Sequence, residues 1–320
     1  MPHLIDTIAY AGETPWHGLG NHLPRNQPIE VCARKAGMDW TILDTPVCYR
    51  TNGIDHDHAI LTFGEQKVLY RSDSGVPLSV VGDRYKVVQP RDVLEFYRDL
   101  TDVFGYELET AGVLKNGRKL WALARTGQDA MLKNQDAVRS YLLLATSCDG
   151  TLATMAVPTT VRVVCNNTLQ IALKGATSAV KVPHSTAFDP MLVKRQLGLA
   201  TSSWAAFLYR IQTMANRNVS AKEATSYFER ALSAVSQHHG RGQVNSRAIK
   251  RMQELFDGHG RGAELSTAKG TVWGLLNAVT EYVDHERRAL SREYRLDSAW
   301  FGQGAIMKQR AFDNALDMLA

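Results

Sequence analysis

Residues 139–165 read RSYLLLATSCDGTLATMAVPTTVRVVC and predict a β-hairpin followed by a further strand. Two apolar runs flank Asp149-Gly150, a dipeptide favoured in tight hairpin turns because its residues adopt positive φ. Just upstream, YELETAGVL and RKLWALART flank Asn116-Gly117 in the same way. The two hairpins together predict an antiparallel sheet in the middle of the chain.

The sequence before the hairpins predicts more strands and one packed helix. Residues 40–89 consist of short β-branched and aromatic runs separated by Gly, Asp and Ser, a pattern typical of an antiparallel meander. Pro90 then leads into a helix predicted over residues 91–104, in which apolar residues recur with a 3.6-residue period and which Gly105 ends.

Beyond the hairpins the sequence becomes helical. The run NNTLQIALK predicts a helix capped by Asn166 or Asn167. Apolar stripes at helical spacing follow in several segments of residues 204–283, and Ser220 with Glu223 forms a capping box before one of them. The predicted fold class is therefore α+β, with an antiparallel sheet and packed helices followed by a mostly helical C-terminal half.

This pattern divides the chain into three predicted regions. They are an N-terminal irregular segment with a short helix (1–39), an antiparallel β-rich core with helix 91–104 (40–180) and a helical region (181–320).

Composition narrows the class of protein. Apolar residues make up 44% of the 320-residue chain, which is typical of a globular protein, and no apolar run approaches the ~18 residues of a membrane span. Four widely spaced cysteines and the absence of a secretory leader pattern favour a cytoplasmic location.

The charge distribution favours a polyanionic partner. Residues 139–251 hold fourteen Lys or Arg and four Asp or Glu, a net charge of +10 in a chain whose total is +5. Such a segment is typical of a nucleic-acid-binding surface, the alternative being a solvated basic face without a ligand. The residues expected to contact phosphates are Arg139, Arg162, Lys174, Lys181, Lys194 and Arg195.

Arg162 has two interpretations, because it is the one charge in an apolar strand. A charge is costly to bury alone, so Arg162 either pairs with a carboxylate or faces a solvated groove. Both alternatives stay open at this point.

Catalytic signatures are weak. Asp55, His56, Asp57 and His58 could hold a metal only with distant help, since neighbouring side chains on a strand point to opposite faces. Cys165 follows a strand, but no histidine lies near it in sequence, and a buried structural role is the favoured interpretation. The expectation is a non-enzyme without a cofactor, with a metal-dependent nuclease as the least favoured alternative.

Several longer strings resemble the phage/plasmid-like family of proteins of unknown function. They are Thr14–Gly20 (TPWHGLG), Val80–Gln89 (VVGDRYKVVQ), Arg162–Leu169 (RVVCNNTL), Gly270–His285 (GTVWGLLNAVTEYVDH), Trp300–Gly304 (WFGQG) and Lys308–Ala311 (KQRA). This resemblance implies residence on a phage, prophage or plasmid, and it implies no activity. The order of hairpins and helices is also similar to phage single-strand annealing proteins, a similarity of layout alone.

These observations lead to two hypotheses of different kinds. The first is a non-catalytic protein that binds and anneals single-stranded DNA in recombination, assembled as a ring or filament of identical subunits. The second is a phage or plasmid protein that binds a host protein, for host takeover or anti-defence, through its helical half. No membrane partner is expected.

Overall fold

The computed structural model describes residues 8–12, 15, 20–25, 27–51, 59–165, 167–170, 172–173, 176–177, 179–198, 202–236 and 246–320. The strands are β1 (Ile8–Ala11), β2 (Asn21–Leu23), β3 (Ile42–Arg50), β4 (Ile60–Arg71), β5 (Pro77–Gly82), β6 (Glu107–Leu114), β7 (Lys119–Leu132), β8 (Asp136–Ser147), β9 (Thr154–Arg162), β10 (Asn167–Gln170), β11 (Ala172–Leu173), β12 (Ala176–Thr177) and β13 (Val180–Val182). The helices are α1 (Ile29–Lys35), α2 (Pro90–Phe104), α3 (Pro190–Gly198), α4 (Ser202–Asn216), α5 (Ala221–Ser236), α6 (Ser246–Glu254), α7 (Val272–Glu281), α8 (Arg292–Phe301) and α9 (Gln303–Asp317).

The central sheet is mostly antiparallel and has the strand order β10-β9-β8-β7-β6-β1-β2, with β13 also paired to β9. Its exception is the parallel pair β1 and β2. Strands β3, β4 and β5 form a separate three-stranded antiparallel sheet, as the meander over residues 40–89 predicted. The helices α4–α9 follow in the C-terminal half, so the α+β class is confirmed.

Both faces of the central sheet are covered. On one face Leu143 belongs to a core that includes Leu276 and the other apolar stripes of the C-terminal helices. On the opposite face Leu144 packs in a second core with Leu94 of α2. Adjacent residues of β8 thus point into different cores, as the period of two in a strand requires. The first core joins residues on both sides of position 180, since sheet and C-terminal helices bury each other.

The two predicted hairpins form, but with longer turns than two residues. Asn116 and Gly117 have φ of 59° and 101° in the connection 115–118 between β6 and β7. Gly150 has φ of 73° in the connection 148–153 between β8 and β9. Positive φ at these positions is what favours Asn and Gly there.

A helix does not follow residue 165, so that prediction is wrong. Asn167 begins the short strand β10, which pairs with the end of β9, and Asn166 lies outside the described residues. The backbone N–H of Thr168 donates to the Asp284 carboxylate at 2.8 Å, and the Asn167 side chain donates to the carbonyl of Asn277 at 3.2 Å. Contacts with a distant helix therefore outweigh the local capping tendency of the asparagines.

The helix signals elsewhere are confirmed. Helix α2 ends before Gly105, whose φ is 66°. At the start of α5, the Glu223 N–H donates to the Ser220 hydroxyl while the Glu223 carboxylate accepts from the Ser220 N–H, which is the predicted capping box. Within the described ranges, none of the helices is long and apolar enough to cross a membrane.

Candidate nucleic-acid interface

Arg162 is buried, so the structure removes it from the expected phosphate contacts. Its side chain is 3% exposed, and its Nε donates to both oxygens of Asp136 at 2.8 and 3.0 Å. Its Nη1 donates to the Arg261 carbonyl at 3.5 Å, and its Nη2 donates to the Gly262 carbonyl at 3.1 Å. Because burying a charge requires a partner, the ion-pair alternative is the correct one for this strand arginine.

Asp136 is the centre of this buried polar cluster. It is fully buried, and besides Arg162 it accepts from the Thr267 hydroxyl at 2.8 Å and from the Trp273 indole N–H at 3.1 Å. Its two carboxylate oxygens thus join a central strand to the start of α7. A carboxylate that accepts four hydrogen bonds from three donors satisfies the hydrogen-bonding rule for buried polar groups.

A second buried ion pair lies at the other end of α7. Lys308 on α9 donates to Asp284 at 2.8 Å and to the Thr168 hydroxyl at 2.7 Å. The Thr168 hydroxyl in turn donates to the other oxygen of Asp284 at 3.0 Å. Burial lowers the pKa of Lys308, and the neighbouring Asp284 opposes that shift. The pair ties β10 to two helices.

Three of the strings that carry the family resemblance meet in these clusters. Arg162 and Thr168 belong to the string over residues 162–169. Trp273 and Asp284 belong to the string over residues 270–285, and Lys308 to the string over residues 308–311. All five side chains are buried and hold the central sheet against the helical layer. The strings therefore have an architectural explanation that requires no ligand.

Cys165 has the environment of a structural cysteine. It is 1% exposed, and burial raises its pKa to about 12, although Arg162 opposes the shift. His285 donates from Nε2 to the Cys165 carbonyl at 3.0 Å. A buried thiol with so high a pKa stays protonated near neutral pH, which does not fit a nucleophilic site.

The metal hypothesis falls on residues that the structure does not describe. Asp55, His56, Asp57 and His58 all lie outside the described ranges. Among the residues that are described, no group of three or more His, Cys, Asp or Glu side chains has the spacing of a metal site.

Three of the expected phosphate contacts lie on neighbouring elements. Lys181 is exposed on β13, and Arg195 is exposed on α3, which packs against β13. Lys194 is half-buried, with its ammonium 5.2 Å from the centre of the Phe96 ring on α2. This cation–π contact restrains the Lys194 head group, which belongs to the same helix as Arg195.

Arg84 and Lys86 extend this group of cations, and the sequence analysis missed both. They are exposed in the loop between β5 and α2. The Lys86 N–H donates to the His184 carbonyl at 2.7 Å, which brings this loop to the segment between β13 and α3. We call Arg84, Lys86, Lys181, Lys194 and Arg195 the basic surface. The signal that could have found the first two is their position in the string over residues 80–89.

An aromatic pair lies within the basic surface. The rings of Tyr85 and His184 stack with centroids 4.3 Å apart. Tyr85 donates to the Ser147 carbonyl at 2.9 Å, and burial raises its pKa to about 12, so the hydroxyl stays protonated. The His184 ring nitrogens lie 3.0 Å from the carbonyls of Lys86 and Leu152. These bonds fix both rings against the β8–β9 hairpin.

The carboxylates nearest to the basic surface in sequence leave it positively charged. Asp189 caps α3 by accepting from the backbone N–H groups of Met191 and Leu192 at 2.9 and 3.2 Å. Asp83 is exposed beside Arg84. Within the described part of the chain, Arg84, Lys86, Lys181 and Arg195 form no ion pair.

One of the two remaining expected contacts lies elsewhere. Arg139 is half-buried on β8 opposite Val161 of β9, whereas Lys181 lies opposite Met155. Six residues of strand separate these two positions, which is roughly 20 Å. Arg139 therefore does not belong to the basic surface, and Lys174 lies outside the described residues.

Comparison with known proteins gives one match. The model of the family described as a domain of unknown function (DUF932) covers residues 77–300, which include the basic surface and most of both buried clusters. Comparisons with curated proteins and with solved structures found no match.

Proposed function

We propose that this chain, which belongs to the DUF932 family and whose family description assigns no activity, binds single-stranded DNA without catalysis. The observation that carries this proposal is that five cations belong to three segments of the chain that adjoin one another, four of these cations having no carboxylate partner among the described residues. Lysine and arginine neutralise backbone phosphates and release counterions, which supplies affinity for any sequence.

The stacked rings favour a single strand over a duplex. A single strand exposes the faces of its bases, and aromatic side chains bind those faces without reading sequence. The stack on Tyr85 and a ring N–H bond to a backbone carbonyl already restrain His184, so little conformational entropy is lost when its ring stacks on a base. Phosphates on either side then contact Lys86 and Lys181.

The biological setting belongs to the same proposal. The resemblance of these strings to phage/plasmid-like proteins supports residence on a mobile element in the cytoplasm of a bacterial host. Strand annealing during recombination is the role we assign there, in an oligomer that presents several basic surfaces to one strand. Multivalent contacts of this kind raise affinity without any new type of contact.

The test is a fluorescence-anisotropy titration of labelled oligothymidine at several salt concentrations. The variant Lys86→Ala/Lys181→Ala/Arg195→Ala removes three cations of the basic surface. The matched control, Lys222→Ala/Arg247→Ala/Lys269→Ala, removes three exposed cations of the helical region and has the same net charge.

The parent should show a slope of log K against log[salt] of roughly −3.5, from five contacts at about 0.7 each. The basic-surface variant should lose about 2 units of that slope, whereas the control should keep it. Equal binding by the two variants would place the site elsewhere. A parent that binds no oligonucleotide at low salt would instead favour the hypothesis of a host-protein ligand.

A further inference from the structure

The three-stranded sheet has an outer face that nothing in the described chain covers. Its inner face is buried at one end, where Leu69 is 0% and Leu78 is 2% exposed, whereas Cys48 and Thr62 farther along that face are exposed. The outer face consists of alternate residues of β3 and their cross-strand partners: Leu43, Thr45, Val47, Tyr49, Leu61, Phe63, Val68, Tyr70 and Val80. A bulge in β4 between Phe63 and Lys67 bends this face without interrupting it.

This outer face is apolar and exposed. Tyr49, Phe63 and Val80 are 49%, 41% and 56% exposed, and Leu43 and Leu61 are 41% and 44% exposed. None of the nine residues carries a charge, although the chain as a whole has a net charge of +5. A soluble protein seldom leaves so large an apolar area in water unless it is an interaction surface.

The area of the outer face can be compared with what a stable dimer needs. Aromatic side chains bury about 150–250 Å² each, so the exposed fractions leave roughly 60–120 Å² on Tyr49 and on Phe63, and somewhat less on each of the three smaller aliphatic residues. With the half-buried members, the face presents about 500 Å². Two such faces in contact bury about 1,000 Å², the lower bound for a specific interface.

We propose that the outer face of the β3–β4–β5 sheet binds the same face of a second copy of this chain. An uncharged face allows two copies that each carry +5 to meet without opposing like charges. A nucleic acid would require cations, which this face lacks. Two twisted sheets related by a two-fold axis pack face to face at about 10 Å, as in a β-sandwich. This inference does not depend on the proposed function.

The test is sedimentation velocity of the full-length, nuclease-treated protein over a concentration series. The variant Tyr49→Lys/Val80→Lys places two charges in the outer face. The matched control, Tyr209→Lys/Leu290→Lys, makes the same changes at residues that are 72% and 89% exposed on the helical side. The parent and the control should dimerise alike, and the outer-face variant should dimerise at least about 100-fold more weakly.

Salt supplies a second readout, because an apolar interface keeps its affinity at high ionic strength whereas charge-mediated association loses it. If the lysine variant lacks the circular dichroism of the parent, Tyr49→Thr/Val80→Thr replaces it, since threonine keeps strand propensity and removes apolar area. The proposal is overturned by a parent that stays monomeric at every concentration. It is equally overturned by an outer-face variant, folded like the parent, that associates as tightly.

Discussion

Replacing Arg162 with alanine separates a structural from a DNA-binding role for this residue. The substitution leaves Asp136 fully buried without its cationic partner. Removing one member of a buried ion pair costs about 3–5 kcal/mol of the free energy of unfolding, because the other charge stays desolvated. Asp136 still accepts from Thr267 and Trp273, so we expect the lower half of that range, about 3–4 kcal/mol.

The assay is thermal unfolding followed by circular dichroism, with oligonucleotide binding measured in parallel. At about 2 °C per kcal/mol for a large domain, Arg162→Ala should lower Tm by roughly 6–8 °C. Its DNA affinity at a temperature where it is folded should match the parent, because the side chain reaches no surface. Arg195→Ala is the crossed control, since Arg195 is exposed and should change binding with little effect on Tm.

The double variant Arg162→Met/Asp136→Leu tests whether the unpaired buried charge of Asp136 causes the loss of stability in Arg162→Ala. It removes both charges and keeps most of the volume, so it should be more stable than Arg162→Ala alone. The gain is limited because Thr267 and Trp273 then lack their acceptor, at about 1–3 kcal/mol for each buried donor. A Tm for Arg162→Ala within about 1 °C of the parent, together with weaker DNA binding, would refute the reasoning.

Three further outcomes follow from the cores and the buried titratable groups. Leu276→Ala should lower the free energy of unfolding by about 2–4 kcal/mol through a cavity, measured by urea denaturation, because Leu276 is 1% exposed. A thiol reagent should label Cys48 in the native protein and Cys165 only after denaturation, because Cys48 is exposed whereas burial raises the pKa of Cys165 to about 12. Mass spectrometry of the labelled peptides measures both reactions. Burial lowers the pKa of His285 below its usual 6.5. The residue therefore contributes stability above pH 6.5, and this stability is lost as the pH falls through the lowered pKa. Urea titrations should show less acid destabilisation in His285→Gln than in the parent.

The sequence predicted the features that depend on neighbouring residues. The Asn116-Gly117 and Asp149-Gly150 turns and the Ser220 capping box need only a few adjacent positions, and they form. The failure after residue 165 has a different cause. There β10 is fixed by Asp284, which is 116 residues away in the chain and invisible to any local pattern.

Long separation along the sequence also explains which residues the sequence wrongly assigned to the candidate site and which it did not reveal. Arg162 was expected at a surface or in an ion pair, and the choice between them depended on Asp136 together with Thr267, which is 131 residues from that carboxylate. Lys86 joined the basic surface through a bond to the His184 carbonyl. Neither contact leaves a periodic or spaced signal in the sequence.

The positive segment over residues 139–251 shows a limit of net charge counted along the sequence. Such a count predicts the sign of a surface better than it predicts which residues lie on that surface. Within that segment Arg162 is neutralised by Asp136, and Arg251 by Glu254 and Glu286, which all lie outside the counted range. Arg217 is bound to Glu223 inside the range. Arg162 and Arg251 thus add to the net count and little to the surface field, whereas Arg217 and Glu223 cancel each other in both. Conversely, Arg84 and Lys86 stand outside the count and lie on the surface, so the cations available to phosphate are those that folding leaves exposed and without a carboxylate.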